Sequence, residues 1–357
     1  MSRFVSERYA SLKPYVPGEQ PRDRGYVKLN TNESPFPPCE AVCKAAAEAA
    51  RSLHLYSDPD NTALREKLAE VYGVGAENVI AVNGSDDVLN FAFAAFCSKS
   101  RPAVFADITY GFYKIFAEAN GVPYRLAPLR GDLSLDADDY IGGKETVFIA
   151  NPNAPTGIAL PLSEVERIVA SDPDRVIVID EAYVDFGGES AVPLTAKYPN
   201  LLVVGTFSKS RSLAGGRLGF AFGSAELIND LNTVRCTVNP YNVNRMTAAA
   251  GVASLENGDI TRENCRVIAE NREYASAELA RLGFTLTPSV TNFVFAKHRC
   301  VPGETLYKKL KEKGVLVRHF AAPRIAEYNR ITVGTREQMD ILITKITEIL
   351  EEENALD

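Results

Sequence analysis

The sequence predicts an α/β protein: a large unit built on a mostly parallel sheet covered on both faces, then a smaller α+β unit. Three observations carry this expectation. From about residue 60, short apolar runs of strand length alternate with helical stretches. Near residue 255 the texture changes, and a long amphipathic stretch gives way to interleaved strands and helices. The first 35 residues are polar and Pro-rich (KPYVPGEQP, ESPFPP), which reads as an extended arm. The expected organisation is therefore an arm over 1–35 that joins the small unit, a large domain over 36–255 and a small domain over 256–357.

Each element has its local reason. NTALREKLAEVYG carries Leu64, Leu68, Val71 and Tyr72 at helical spacing, with Asn61 as a possible N-cap and Gly73 as the stop. VIAV (79–82) is a short buried strand, followed by a helix from about Ser85 to Cys97. AVFA (103–106), VFIA (147–150), VIVID (176–180), LLVVGTF (201–207) and LGFAFG (218–223) read as further buried strands. The amphipathic stretch runs from about Asp259 to Leu282. Beyond it FTLTPSV, NFVFA, VLVRHF and NRITV read as strands, between the helices GETLYKKLKEKG and REQMDILITKITEILEEE.

Composition narrows the function. A length of 357 residues is a prior for about two domains and supports a large core without staples. The net charge of −7 gives no basic footprint for nucleic acid. Three scattered histidines make no metal cage, so no metal is expected. The six cysteines contain no C-x-x-C pair; Cys39 and Cys43 read as small apolar residues of one helix face. No signal-like h-region opens the chain, and no apolar run approaches the ~18 residues of a membrane span. The expected compartment is the cytoplasm.

Four segments carry chemistry. In TFSKSRSLAGGRLGF (206–220), Lys209 follows an apolar strand, where side chains point into the crevice at the strands' carboxyl ends. A lysine partly desolvated there is a usable amine nucleophile for a carbonyl. Arg217 adds a fork-shaped cation for an oxyanion, and Thr206 and Ser208 add hydroxyls. Taken alone, the same residues also describe a solvated Lys-Arg loop. In VIVIDEAYVDF (176–186), Asp180 ends a buried strand and wants a cationic partner, for which a protonated ring nitrogen would serve. Tyr183, three residues on, could bond a neighbouring phenolate. In VNGSDD (82–87) the N–H groups of Gly84, Ser85 and Asp86 would point out of a helix N-terminus as a phosphate site, although Asp86 could serve only as a cap. IANPNAPTG (149–157) is a rigid turn presenting Asn153. Together, an amine, a carboxylate for a ring nitrogen, a phenol and a phosphate cradle describe a pyridoxal 5′-phosphate site.

At this point the chain resembles the fold-type I aminotransferases, and specifically the histidinol-phosphate aminotransferases. The resemblance runs from LKPY and LNTNESP through LYSDPD, DITYGFY, NPNAPTG, DEAYVDF, FSKSRSLAGGRLGF and TNFV to NRITVGTREQ. It implies a large domain with a mostly parallel seven-stranded sheet, and pyridoxal phosphate as cofactor. It implies that Lys209 is the Schiff-base lysine and the base of the proton shift, and that Asp180 holds the pyridine nitrogen protonated. Tyr183 would bond the ring's phenolate oxygen, and Tyr110 would stack on the ring. Ser85, Asp86, Ser208 and Arg217 would bind the cofactor phosphate, joined by Tyr56 from the other subunit of a homodimer with shared sites. One departure stands out: the family usually has Asn directly before PTG, and here that position is Ala154, so either Asn153 takes over the ring-oxygen contact or Tyr183 makes it alone.

For the substrate, the resemblance points to Arg318 in VLVRHF and Arg330 in YNRITVG, with Tyr15 and Asn32 lining the pocket. Arg330 would grip the substrate phosphate or the α-carboxylate of glutamate, with Arg318 as second cation; by itself Arg318 is also what an edge strand carries on its surface. The implied reaction is amino transfer between L-histidinol phosphate and 2-oxoglutarate, in histidine biosynthesis. An aromatic amino-acid aminotransferase, and less so a threonine-phosphate decarboxylase, would use the same scaffold. A non-catalytic regulator would carry a basic DNA-binding domain in front, where this sequence has only the polar arm.

Overall fold

The computed structural model describes residues 2–6, 9, 12, 18–21, 23 and 25–355. Tyr15 lies outside the described residues. Among the described residues the strands are β1 (Val27–Lys28), β2 (Val79–Val82), β3 (Ala103–Ala106), β4 (Tyr124–Ala127), β5 (Thr146–Ala150), β6 (Ile177–Asp180), β7 (Leu201–Thr206), β8 (Gly219–Phe222), β9 (Phe284–Leu286), β10 (Phe293–His298), β11 (Val315–Leu316), β12 (Arg318–His319) and β13 (Asn329–Thr332). The α-helices among them are α1 (Glu40–Ala49), α2 (Thr62–Tyr72), α3 (Ser85–Phe96), α4 (Phe112–Asn120), α5 (Leu162–Ala170), α6 (Ala225–Val238), α7 (Arg245–Glu256), α8 (Gly258–Arg281), α9 (Gly303–Glu312) and α10 (Arg336–Glu352).

The large sheet has seven strands in the order β2-β8-β7-β6-β5-β3-β4. All neighbours are parallel except that β8 runs against both β2 and β7. Alternation along the strands feeds two cores, one per face. Val147, Ile149, Ile177, Ile179, Leu201 and Val203 join one cluster, while Phe148, Ala150, Val178, Leu202 and Val204 join the other. Helices cover both clusters, so each strand reads as a continuous apolar run. The exception is β4, an edge strand with Arg125 and Leu126 exposed, which is why no apolar run marks it in the sequence.

A four-stranded sheet, β12-β13-β10-β9, shares a third core with α8, α9 and α10, to which Leu29 and Phe186 also contribute. The segment VLVRHF departs from the single strand expected. It bends at Val317: β11 pairs in parallel with β1 of the arm, and β12 pairs with β13. The cap of α2 also departs from expectation. Asn61 occupies the N-cap position in a left-handed conformation with no side-chain bond, and Asp58 Oδ2 accepts from Thr62 N–H instead, at 2.8 Å. Gly73 ends the helix as expected, at φ +69°. The helix after VIAV starts at Ser85, and α10 opens with a Thr335–Gln338 capping box. Cys39 precedes α1 as its N-cap and Cys43 is exposed on it; all six cysteines are free thiols.

Candidate active site

The carboxyl ends of β2, β5, β6 and β7 lie along one edge of the large sheet. Register fixes this: Ala150 is opposite Asp180, and Gly219 is opposite both Thr206 and Val82. At that edge a cleft of about 570 Å³, counting its mouth, is lined by Ser85, Asp86, Tyr110, Ala150, Ala154, Asp180, Ala182, Tyr183, Thr206, Ser208, Lys209 and Arg217. Nine of these were singled out from the sequence, and β-sheet pairing gathers them from four separate segments.

One end of the cleft is built for an anion. The first turn of α3 presents Ser85 and Asp86, whose N–H groups have no partner within the helix. Gly84 precedes them at φ +90°, and a Cβ there would lie 2.6 Å from Arg217 Nη2, so only glycine lets the guanidinium approach the turn. A Cβ on Gly219 would lie 2.2 Å from Ser85 N, which keeps β8 close under the same turn. The Thr206 and Ser208 hydroxyls lie 3.0 Å apart, and Ser208 N–H donates to Thr206 Oγ1 at 3.1 Å. The Asp86 carboxylate is already engaged: it accepts from Tyr110 OH at 2.8 Å and from Arg217 Nη2 at 3.3 Å. What Asp86 offers an anion is therefore its backbone N–H.

At the other end Asp180 is buried. Its Oδ2 accepts from Tyr113 OH at 2.9 Å and its Oδ1 from Ala182 N–H at 3.2 Å. Burial pushes its carboxyl up to about 6, with the Tyr113 bond pulling down, Asp86 pushing up and Lys209 pulling down. Lys209 Nζ donates to Thr31 O at 3.3 Å and stands 5.7 Å from the Tyr183 ring centroid. Burial and the Asp86 carboxylate raise the Tyr110 phenol far above its ordinary value, so it stays neutral.

Two expected residues stand elsewhere. Asn153 does not face the cleft. Its Oδ1 accepts from Thr109 at 2.7 Å and its Nδ2 donates to Ile108 O and Thr156 Oγ1, both at 3.0 Å, so its polar atoms are consumed in holding the PTG turn. The Ala154 methyl lines the cleft instead. Asn32, expected along the substrate pocket, is not among the residues lining this cleft. It is buried behind Tyr183, where its Nδ2 donates to Tyr183 OH at 2.9 Å, and Thr332 and Asn292 hold it in place. That bond leaves the phenolic proton of Tyr183 available to a ligand.

Arg318 and Arg330 are direct cross-strand partners on β12 and β13, so their side chains share one face of the small sheet. Both guanidinium carbons approach Phe320, at 5.9 and 5.7 Å. Arg330 also donates to Asn30 O at 3.2 Å and lies 5.4 Å from Phe293, on which Tyr183 stands edge-on at 5.2 Å. The two cations are thus connected by ring contacts to the phenol of the cleft. Tyr56 is outside the cleft of its own chain, 77% exposed and stacked on Tyr241 at 4.5 Å.

The model of aminotransferase classes I and II matches residues 24–346. Histidinol-phosphate aminotransferase 1 of Bradyrhizobium diazoefficiens is 48% identical over 350 residues, covering 98% of this chain and 100% of the relative. The histidinol-phosphate aminotransferase of Brachyspira hyodysenteriae is 43% identical, with 98% and 99% covered. The chain belongs to the histidinol-phosphate aminotransferases. Its fold agrees: the Sinorhizobium meliloti histidinol-phosphate aminotransferase, solved in complex with pyridoxal-5′-phosphate, superposes with a TM-score of 0.91 at 24% identity over 99% of both chains. The L-threonine-O-3-phosphate decarboxylase of Porphyromonas gingivalis reaches 0.79 at 22% identity, covering 91% of this chain and 99% of its own. Fold alone therefore does not separate transaminase from decarboxylase.

Members of this family use pyridoxal phosphate, and the cleft fits it. A helix N-terminus, hydroxyls and Arg217 suit a phosphate dianion. The buried Asp180 carboxylate, costly without a cation, suits a protonated ring nitrogen between itself and the solvent. Tyr113 is the residue the sequence did not mark; its only signal was a second tyrosine three places after Tyr110, in the first turn of α4.

Proposed function

We propose that the chain transfers an amino group from L-histidinol phosphate to 2-oxoglutarate, yielding imidazole acetol phosphate and L-glutamate. The observation that carries this beyond family membership is the cross-strand pair Arg318 and Arg330, two cations on one sheet face. Two cations suit the phosphate of the donor, and one suffices for the α-carboxylate of glutamate. When bound, pyridoxal phosphate supplies a carbonyl for the amino group and a ring that draws electrons from the carbon bearing it. In this reading Lys209 Nζ would hold the cofactor's carbonyl carbon in the resting enzyme and, once released, would serve as the base that moves the proton at the donor's amine-bearing carbon. Asp180 keeps the ring nitrogen protonated, and Tyr183, oriented by Asn32, donates to the ring oxygen without help from position 154. The backbone of Ser85 and Asp86, with Ser208 and Arg217, holds the phosphate while Tyr110 backs the ring.

Arg318→Ala is expected to lower kcat/KM for L-histidinol phosphate by roughly ten- to a hundredfold, the loss of one charge-assisted contact of about 1.5–3 kcal/mol. Glutamate is expected to suffer less. Parallel steady-state rates with phenylalanine and tyrosine test the aromatic alternative; equal losses for all donors would make Arg318 structural and remove the support for a phosphate substrate.

The same reading places the enzyme in the cytoplasm as a homodimer that divides into arm, large and small domains at 35/36 and 255/256. Support for the dimer comes from the exposed apolar side chains Leu53, Leu55, Tyr56, Val238 and Tyr241, more than a monomer's surface needs in one place, with Tyr56 stacked on Tyr241. Support for the arm assignment comes from β1 on β11. No helix among the described residues is long and apolar enough to cross a membrane.

A further inference from the structure

Building on the cofactor reading above, we propose that Tyr113 is a positioning residue for Asp180, a buried neutral donor that fixes the carboxylate and preserves its negative charge for the ring nitrogen. Tyr113 is fully buried in the first turn of α4. Its ring is walled by Phe105 at 5.8 Å, Phe148 at 6.1 Å and Tyr110, edge-on, at 5.7 Å. Those walls fix where the hydroxyl lies, and it lies 2.9 Å from Asp180 Oδ2.

The choice of a phenol has a physical reason. A lysine or arginine at this place would form an ion pair and compete with the ring nitrogen for the same carboxylate. A neutral hydroxyl stabilises the anion without cancelling it. Burial and the Asp180 charge raise the Tyr113 phenol well above its ordinary value, so it remains a donor at every working pH. Phenylalanine would fill the same cage and leave Oδ2 without this donor.

The other groups facing Asp180 act in opposed directions. Lys209 favours its anion, Asp86 opposes it, and the Tyr110 phenol, raised far above its ordinary value, is neutral. Glu181, the next residue, engages Ser190 Oγ and Ala191 N–H, both at 2.6 Å, and is itself pushed up to about 7 by burial. Asp180 titrates at about 6. Its anion is lost as pH falls through that value, and removal of a donor to the anion moves the loss to higher pH.

The test is an infrared titration of the cofactor-free protein, following the carbonyl band of buried protonated carboxyls. Asp180→Asn identifies which band belongs to Asp180 and which to Glu181. In Tyr113→Phe the Asp180 midpoint is expected to rise by about one to two pH units, the equivalent of one hydrogen bond to a charged group, while Glu181 stays in place. Site-specific 3-fluorotyrosine at 113, a more acidic phenol of nearly the same shape, is expected to lower the midpoint. In the loaded enzyme the acid limb of kcat would shift upward with Tyr113→Phe. An unchanged Asp180 midpoint, or both midpoints moving together, overturns the proposal. Because the titration needs neither cofactor nor substrate, a wrong assignment of the reaction would leave it intact, and its failure would leave the transaminase reading standing.

Discussion

Lys209→Ala is expected to abolish turnover with every amino donor. Among the described residues lining the cleft, Lys209 is the one amine, and Arg217 lies at the anion end beside Gly84 and Asp86. On the proposed reading the substitution removes both the group that would take the cofactor's carbonyl and the base for the proton shift, and the base alone is worth about 10²–10⁴ in rate. Ser85, Ser208 and Arg217 remain in the cleft, so the variant is expected to keep binding pyridoxal phosphate, without a borohydride-reducible bond to the chain. Mass analysis after reduction reads this directly. A reduced adduct at another lysine would refute the assignment.

Mixing Lys209→Ala with Tyr56→Ala subunits is expected to raise activity above the mean of the two homodimers, the first inactive and the second impaired. Tyr56 sits outside its own chain's cleft on an exposed face, so its contact with a cofactor phosphate would be made in the partner. In a mixed dimer one site then collects both lesions and the other collects none. Equal mixing with free subunit exchange makes half the dimers mixed, so about a quarter of wild-type sites become intact. If Tyr56 served its own chain, every site would keep a lesion and activity would stay at the mean of the two variants. Tagging one variant and recovering the untagged one with it on an affinity resin confirms that exchange has occurred.

The large sheet was legible because six of its seven strands are buried on both faces and so are apolar throughout. The seventh, β4, is half exposed and carries no such signature. The bend at Val317 was hidden because one continuous segment, VLVRHF, supplies strands to two sheets, Val315–Leu316 to one and Arg318–His319 to the other. In the site, residues that face the cleft were identified by their chemistry at strand ends: Lys209, Asp180, Tyr183 and Arg217. Residues that act behind them were not. Tyr113 looks like any core aromatic until its hydroxyl is seen on Asp180. Asn32 and Asn153 have the polarity of ligand contacts, and only the folded chain shows their amides spent on Tyr183 and on the PTG turn. Sequence spacing reports which residues approach an edge, whereas the direction of a buried amide depends on partners as far as 300 residues away, as between Asn32 and Thr332.

The most direct test of the account is a single half-reaction. The wild-type protein, loaded with pyridoxal phosphate, is mixed with L-histidinol phosphate and no keto acid. The account predicts that the visible absorbance of the bound cofactor disappears, with one imidazole acetol phosphate formed per site, and returns when 2-oxoglutarate is added. Release of carbon dioxide from a phosphorylated amino acid, or conversion by phenylalanine or tyrosine but not by L-histidinol phosphate, would contradict it.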